Sequence, residues 1–241
     1  MRLTAKQLAD FATDKALHVS SAYMWGDYGR TITEQTIAQK AKQYPARYST
    51  TRKKYLETLT NGYWIGCDCV GLIKWFLWTD CGTHDIRYDK SSDLNVTGFK
   101  RKCTGTGKIR DMPEQRGLLL FMTGHVGVYL GGGSVGECTL SSRGDGIIIS
   151  DMEEAPWVEF GRLSLLEYGT PASDNIEVGD IVQFTGRVQY TNGFTSAGLP
   201  ARKGPARVTH YRPTYRHPYH IIHTDTTSNV YGWVDSDNIQ K

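Results

Sequence analysis

Apolar residues near the start of the chain are spaced for a helix. Leu3, Leu8, Phe11 and Ala12 fall on one side of residues 1–20, with acids and lysines between them. Residues 69–79, CVGLIKWFLWT, are almost continuously apolar. Val70, Ile73 and Leu77 share a face there with Leu72 and Phe76 beside it, which predicts a buried helix. Further along, the period drops to that of strands. Strands are predicted at 117–122, 124–130, 134–140 and 146–150, the middle two joined by Gly131-Gly132-Gly133. Residues 82–112 are polar and contain glycine, which predicts a long loop or lid. Residues 27–62 form a polar excursion with seven lysines and arginines against three acids, read as a solvated helical face.

Turn formers cluster at 169–175, GTPASDN, after the amphipathic run 163–168, and a domain boundary is placed there. The first domain is then 1–170 and the second 171–241. The second holds short strand signals (DIVQF, ARVTHY, YHIIHT, GWV) separated by short irregular turns, which suits a small β-barrel. The fold class is α+β, with no internal repeat.

Composition narrows the function. With 39 % apolar and 22 % charged residues, 26 glycines and 14 tyrosines among 241, the chain has the profile of a soluble, loop-rich globular protein. The net charge of +3 is mild and its basic residues are scattered, so no nucleic-acid partner is expected. No apolar run is long enough to span a bilayer, so no membrane insertion is expected. The N-terminus lacks the apolar stretch of a secretory signal, so synthesis in the cytoplasm is expected, with any action outside the cell needing another exit. The five cysteines form no CxxC pair, which argues against a zinc ribbon or thioredoxin-type motif, and free thiols suit a reducing cytoplasm. No metal site is expected: His217, His220 and His223 lie three apart, and on a strand 220 and 223 face opposite ways.

In Gly66-Cys67-Asp68-Cys69-Val70-Gly71-Leu72, a turn-like segment precedes the apolar helix. Cys69 falls at the first helical position, where free N–H groups and the helix dipole favour a thiolate, and Asp68 is placed to cap those N–H groups. Taken alone, Cys69 reads more readily as a small buried residue. A base is available in Gly124-His125-Val126-Gly127-Val128-Tyr129-Leu130. Alternation places His125, Gly127 and Tyr129 on one face and Val126, Val128 and Leu130 on the other, toward the core. A three-residue glycine loop with a bulge would pair 130 with 134 and 127 with 137. Glu137 is then a diagonal neighbour of His125, roughly 7–8 Å away at Cα, free to hold the imidazole in one tautomer. A two-residue turn would send Glu137 to the other face. A thiol at a helix start facing histidine and carboxylate on a sheet is the papain-like arrangement for acyl transfer.

These residues resemble the NlpC/P60 family of cell-wall peptidases. The matching pieces are Tyr23-Met24-Trp25-Gly26, Asp68-Cys69-Val70-Gly71-Leu72, Gly124 to Gly131, the upstream Met112-Pro113 and a polar residue at 137. The resemblance implies a papain-like catalytic domain with Cys69 as nucleophile, His125 as base and Glu137 as the third polar member. It places Tyr23 beside the cysteine and, with Trp25 and Asp68, in substrate binding. It further implies cleavage of an amide bond in the peptidoglycan stem peptide, often between D-γ-glutamyl and a diamino acid, with no metal or other cofactor. Two positions depart from the family: Val70 stands where serine is common, and Glu137 where histidine is frequent. The C-terminal segment resembles a bacterial SH3-like wall-binding domain through Val178 to Val182, His217 to Ile222 and Tyr231 to Val234. Such a pair of domains without a signal resembles a phage endolysin, which reaches the wall when a partner holin opens the membrane. An N-acetylmuramoyl-L-alanine amidase, a transferase using the same thioester chemistry, and a non-catalytic wall-binding protein share these features.

Overall fold

The computed structural model describes residues 2–168, 176–212 and 215–241, so the expected boundary at 169–175 lies outside the described residues. Helix α1 (Ala5–His18) starts at a reciprocal cap: the Thr4 hydroxyl accepts from the Gln7 N–H, and the Gln7 side chain accepts from the Thr4 N–H at 2.8 Å. The excursion after it is ordered. It holds β1 (Ser21–Tyr23), β2 (Tyr28–Thr31), α2 (Glu34–Gln43), a 3-10 turn at Pro45–Arg47, α3 (Thr50–Glu57) and β3 (Ile65–Cys67). β3 is central in this small sheet, parallel to β1 and antiparallel to β2. The solvated-face reading of this region fails at Lys40, which is buried and donates to the Gly26 carbonyl.

Helix α4 (Cys69–Trp78) follows β3 directly and buries Leu72, Ile73 and Phe76. Its neighbour α1 contributes Phe11, whose ring meets Trp75 and Phe76 edge-on at 5.4 and 5.6 Å. The segment expected as a long loop is also partly regular. It contains α5 (Val96–Arg101), capped by Asn95, and β4 (Cys103–Lys108). β4 is mostly exposed, so it lacks the apolar alternation that marks a half-buried strand.

The main sheet continues with β5 (Leu119–Met122), β6 (His125–Gly131), β7 (Ser134–Ser141), β8 (Gly144–Asp151) and β9 (Glu159–Leu163), in the order β4-β9-β5-β6-β7-β8. β6 is buried along its whole length, on the His125 face as well as the Val126 face. Only Gly132 and Gly133 separate β6 from β7, one residue fewer than expected. A plain two-residue turn would reverse the faces of β7, yet a Cβ on Gly127 would touch Val135 and one on Gly136 would touch Leu130. Odd positions therefore share a face across the pair. Gly131, inside β6 at φ +98, absorbs the extra residue in the manner of a glycine bulge and leaves Glu137 on the side of His125.

By contacts the chain forms two units. One comprises Met1–Met112, Arg116–Leu130 and Ser134–Glu167, the other Pro113–Gln115, Gly131–Gly133 and Tyr168–Lys241. The second is an antiparallel seven-stranded sheet: β10 (Ile181–Phe184), β11 (Val188–Tyr190), β12 (Gly198–Pro200), β13 (Gly204–Tyr211), β14 (Tyr219–His223), β15 (Tyr231–Val234) and β16 (Ile239–Gln240). Their order is β12-β11-β15-β14-β13-β10-β16. Alternate residues Val182, Phe184, Ala206, Val208, Tyr219, Ile221 and Val234 point into one core. His217 is buried there against Asp235 at 2.6 Å, His220 meets the Thr209 hydroxyl at 2.5 Å, and His223 reaches the Asp225 carbonyl at 2.9 Å. Among the described residues no helix is long and apolar enough to cross a membrane.

Candidate active site

Asp68 sets the head of α4. It is the N-cap, and its Oδ1 accepts from the Gly71 N–H at 2.7 Å. Its Oδ2 accepts from the Gly26 N–H at 2.6 Å, which ties the helix start to the turn Met24-Trp25-Gly26-Asp27. That turn closes through Asp27 N–H to the Met24 carbonyl at 2.9 Å and needs glycine at position 26, where φ is +77. Gly71 serves the same junction. A Cβ there would lie 1.9 Å from the Asp27 carbonyl oxygen, so only glycine lets the first turn of α4 approach so closely. Burial raises the Asp68 carboxyl, while the two N–H groups pull it down.

Cys69 is 6 % exposed at this helix head, with the Val70 and Val126 N–H groups beside its sulfur. Val126 adjoins His125 on β6, so the Cys69 sulfur lies against the His125–Val126 end of that strand. The helix-start argument predicts an acidified sulfur. Instead, burial and then the Asp68 carboxyl push the Cys69 thiol up to about 12, against those two N–H groups.

His125 turns its Nε2 toward Glu137, 2.6 Å from Oε2. Glu137 also receives the Ser150 hydroxyl on Oε1 at 2.6 Å, and the Arg143 guanidinium binds both oxygens, Nε on Oε1 at 3.1 Å and Nη2 on Oε2 at 3.0 Å. Burial alone would raise this carboxyl, but the hydrogen bonds from His125, Arg143 and Ser150 hold it at about 2. With Nε2 engaged, Nδ1 is the ring nitrogen left outside that pair. Trp157 stacks on the imidazole at 5.6 Å and an interplanar angle of 25°. Gly127 makes room for it, since a Cβ there would lie 2.9 Å from the indole.

Tyr23 and Trp25 line a cavity of about 480 Å³ with His125, Arg47, Arg52 and Arg143. Burial, then the neighbouring Cys69, drive the Tyr23 phenol upward, so it remains a donor. Arg52 fixes the backbone of Tyr23. Its guanidinium reaches the Tyr23 carbonyl and Asp145, and Asp145 accepts the Tyr23 N–H at 2.8 Å. Asp68 lines a second cavity, which Trp25 also borders, together with Lys40, Lys74 and Asp93. Thus Cys69, His125, Glu137, Tyr23 and Trp25 gather at one place, while both Asp68 oxygens serve backbone N–H groups.

Arg143, Ser150, Trp157 and Arg52 escape the sequence reading. Ser150 has a visible signal, a lone polar position after Ile147-Ile148-Ile149. The register that sets Val135 opposite Ser150 is what brings its hydroxyl to Glu137.

No protein-family model matches the sequence, and no curated protein matches it. Among solved structures, the chain is similar to NlpC2 from Trichomonas vaginalis, with 15 % identity and a TM-score of 0.38 over 66 % of this chain and 46 % of that one. It is also similar to the peptidoglycan hydrolase RipB from Mycobacterium tuberculosis, with 17 % identity and a TM-score of 0.35 over 68 % of this chain and 67 % of that one. The chain thus spans about half the length of the first of these.

Proposed function

We propose that the chain is an endolysin-like peptidoglycan hydrolase, a D,L-endopeptidase that cleaves an amide bond of the stem peptide by thiol chemistry. The second unit, read as SH3-like, holds it on a cell-wall polymer and so raises its local concentration there. The observation that carries the reading is the His125–Glu137 pair set next to Cys69 at the head of α4. In this mechanism His125 takes the thiol proton on Nδ1 as the sulfur attacks the amide carbonyl carbon. The imidazolium, stabilised by the Glu137 carboxylate, gives that proton to the departing amine. The remaining thioester is hydrolysed by water, with His125 again as base. The Tyr23 phenol is a donor for the oxyanion.

The protein should clear a suspension of purified walls and release free amino groups without reducing sugar. Cys69→Ala should bind walls and leave them turbid. Clearing by Cys69→Ala at the wild-type rate would reject the thiol mechanism. Mass spectrometry of the released muropeptides identifies the bond. New amino groups on L-alanine freed from the lactyl carboxyl group would make the enzyme an amidase instead.

A further inference from the structure

The cavity beside His125 is cationic in a way the proposed chemistry does not require. Three arginines line it, and two are committed: Arg52 to Asp145, and Arg143 through Nε and Nη2 to Glu137. The third, Arg47, is exposed and has no ion pair among the described residues. It sits over the Trp25 indole, with the guanidinium carbon 3.9 Å from the ring centroid. This leaves the N–H edge of a planar donor free at the cavity wall.

The placement of Arg47 is built in. Pro45 opens its 3-10 turn, and the flanking tyrosines clamp that turn onto the Trp25 turn. The Tyr48 hydroxyl donates to the Trp25 carbonyl at 2.8 Å, and the Tyr44 ring fills the space a Cβ on Gly26 would need. Among the described residues Arg47 thereby keeps its charge at the cavity that His125 lines without a partner carboxylate, and none of those lining the cavity is acidic.

We propose that Arg47 is a specificity residue that binds a free carboxylate on the substrate next to the scissile amide, selecting it over the carboxamide. In a γ-glutamyl substrate, that group is the α-carboxylate of the residue supplying the scissile carbonyl. The inference rests on the hydrolase reading above for where the reacting bond lies. A guanidinium fork matches a carboxylate with two parallel hydrogen bonds, whereas a carboxamide offers one acceptor and turns its NH₂ donors toward a cation. Because Arg47 is open to water, the discrimination expected is on the order of tenfold.

The test uses the full chain and two synthetic γ-D-glutamyl peptides that differ only in having an α-carboxylate or an α-carboxamide. Calorimetric titration of Cys69→Ala should show the carboxylate binding about tenfold tighter, and adding Arg47→Ala should bring that ratio near one. In the active protein the same ratio should appear in KM more than in kcat. Arg110→Ala, whose side chain lies at the surface away from the cavity, should keep the ratio. Equal binding of the two peptides, no binding of either, or a ratio unchanged by Arg47→Ala would overturn the proposal. Discrimination in binding with no cleavage by the wild-type protein would leave the carboxylate site standing and reject the hydrolase reading instead.

Discussion

Glu137 is fully buried, and its two oxygens accept from His125, Ser150 and the Nε and Nη2 of Arg143. Its carboxyl is held at about 2, below the ordinary 4.5, so its contribution to stability has a defined pH window. A depressed carboxyl stabilises the fold fully above about 4.5, and that contribution is lost as the pH falls through 4.5 toward 2. Replacing it with glutamine removes the contribution at neutral pH but changes little at the acid end. The stability gap between wild type and Glu137→Gln should therefore be widest near neutrality and narrow through that window, as read from urea midpoints. A gap independent of pH would show that the carboxylate is not ionised in the fold. The same variant should lose roughly tenfold to a hundredfold in kcat, since an imidazole without its carboxylate no longer holds one tautomer.

Elements meet in this protein through glycines at close approaches, and α4 is the sharpest case. At Gly71 a methyl group would be driven against the Asp27 carbonyl, a backbone atom with no freedom to rotate away. Gly71→Ala should cost about 1–3 kcal/mol or more and lower activity together with thermal stability, because the helix head carrying Cys69 must shift. Wild-type melting with retained hydrolysis would contradict this. The sequence makes α4 and β5 to β8 legible because their residues are continuously apolar or alternate cleanly. Cys69, His125 and Glu137 stand out for the same reason, as reactive residues at the edges of those patterns. β1 and β3 are only three residues long, and β4 is an exposed edge strand, so none of them writes a period into the chain. Arg143 and Trp157 reach the site through a hairpin turn and a cross-sheet contact. Such placements depend on register, which local spacing does not encode.

At the scale of the molecule, the second unit has its own core, and none of the residues of that core belongs to the sheet that carries His125. Phe184 is 1 % exposed in that core. Phe184→Ala should cost the second unit about 3–5 kcal/mol. Differential scanning calorimetry should then show one transition moving down while another stays in place. Hydrolysis of a short soluble peptide should persist while wall binding falls. A single transition that shifts as a whole would mean the two units unfold as one. The clasp between Asp68 and Gly26 has a further consequence. One carboxylate fastens the helix head that carries Cys69 and the turn that carries the Trp25 indole to the same point, so neither can drift without the other. A change of substrate preference is therefore more accessible through the arginine- and tyrosine-bearing segment at 44–52, which leaves that fastening intact, than through the motif residues themselves.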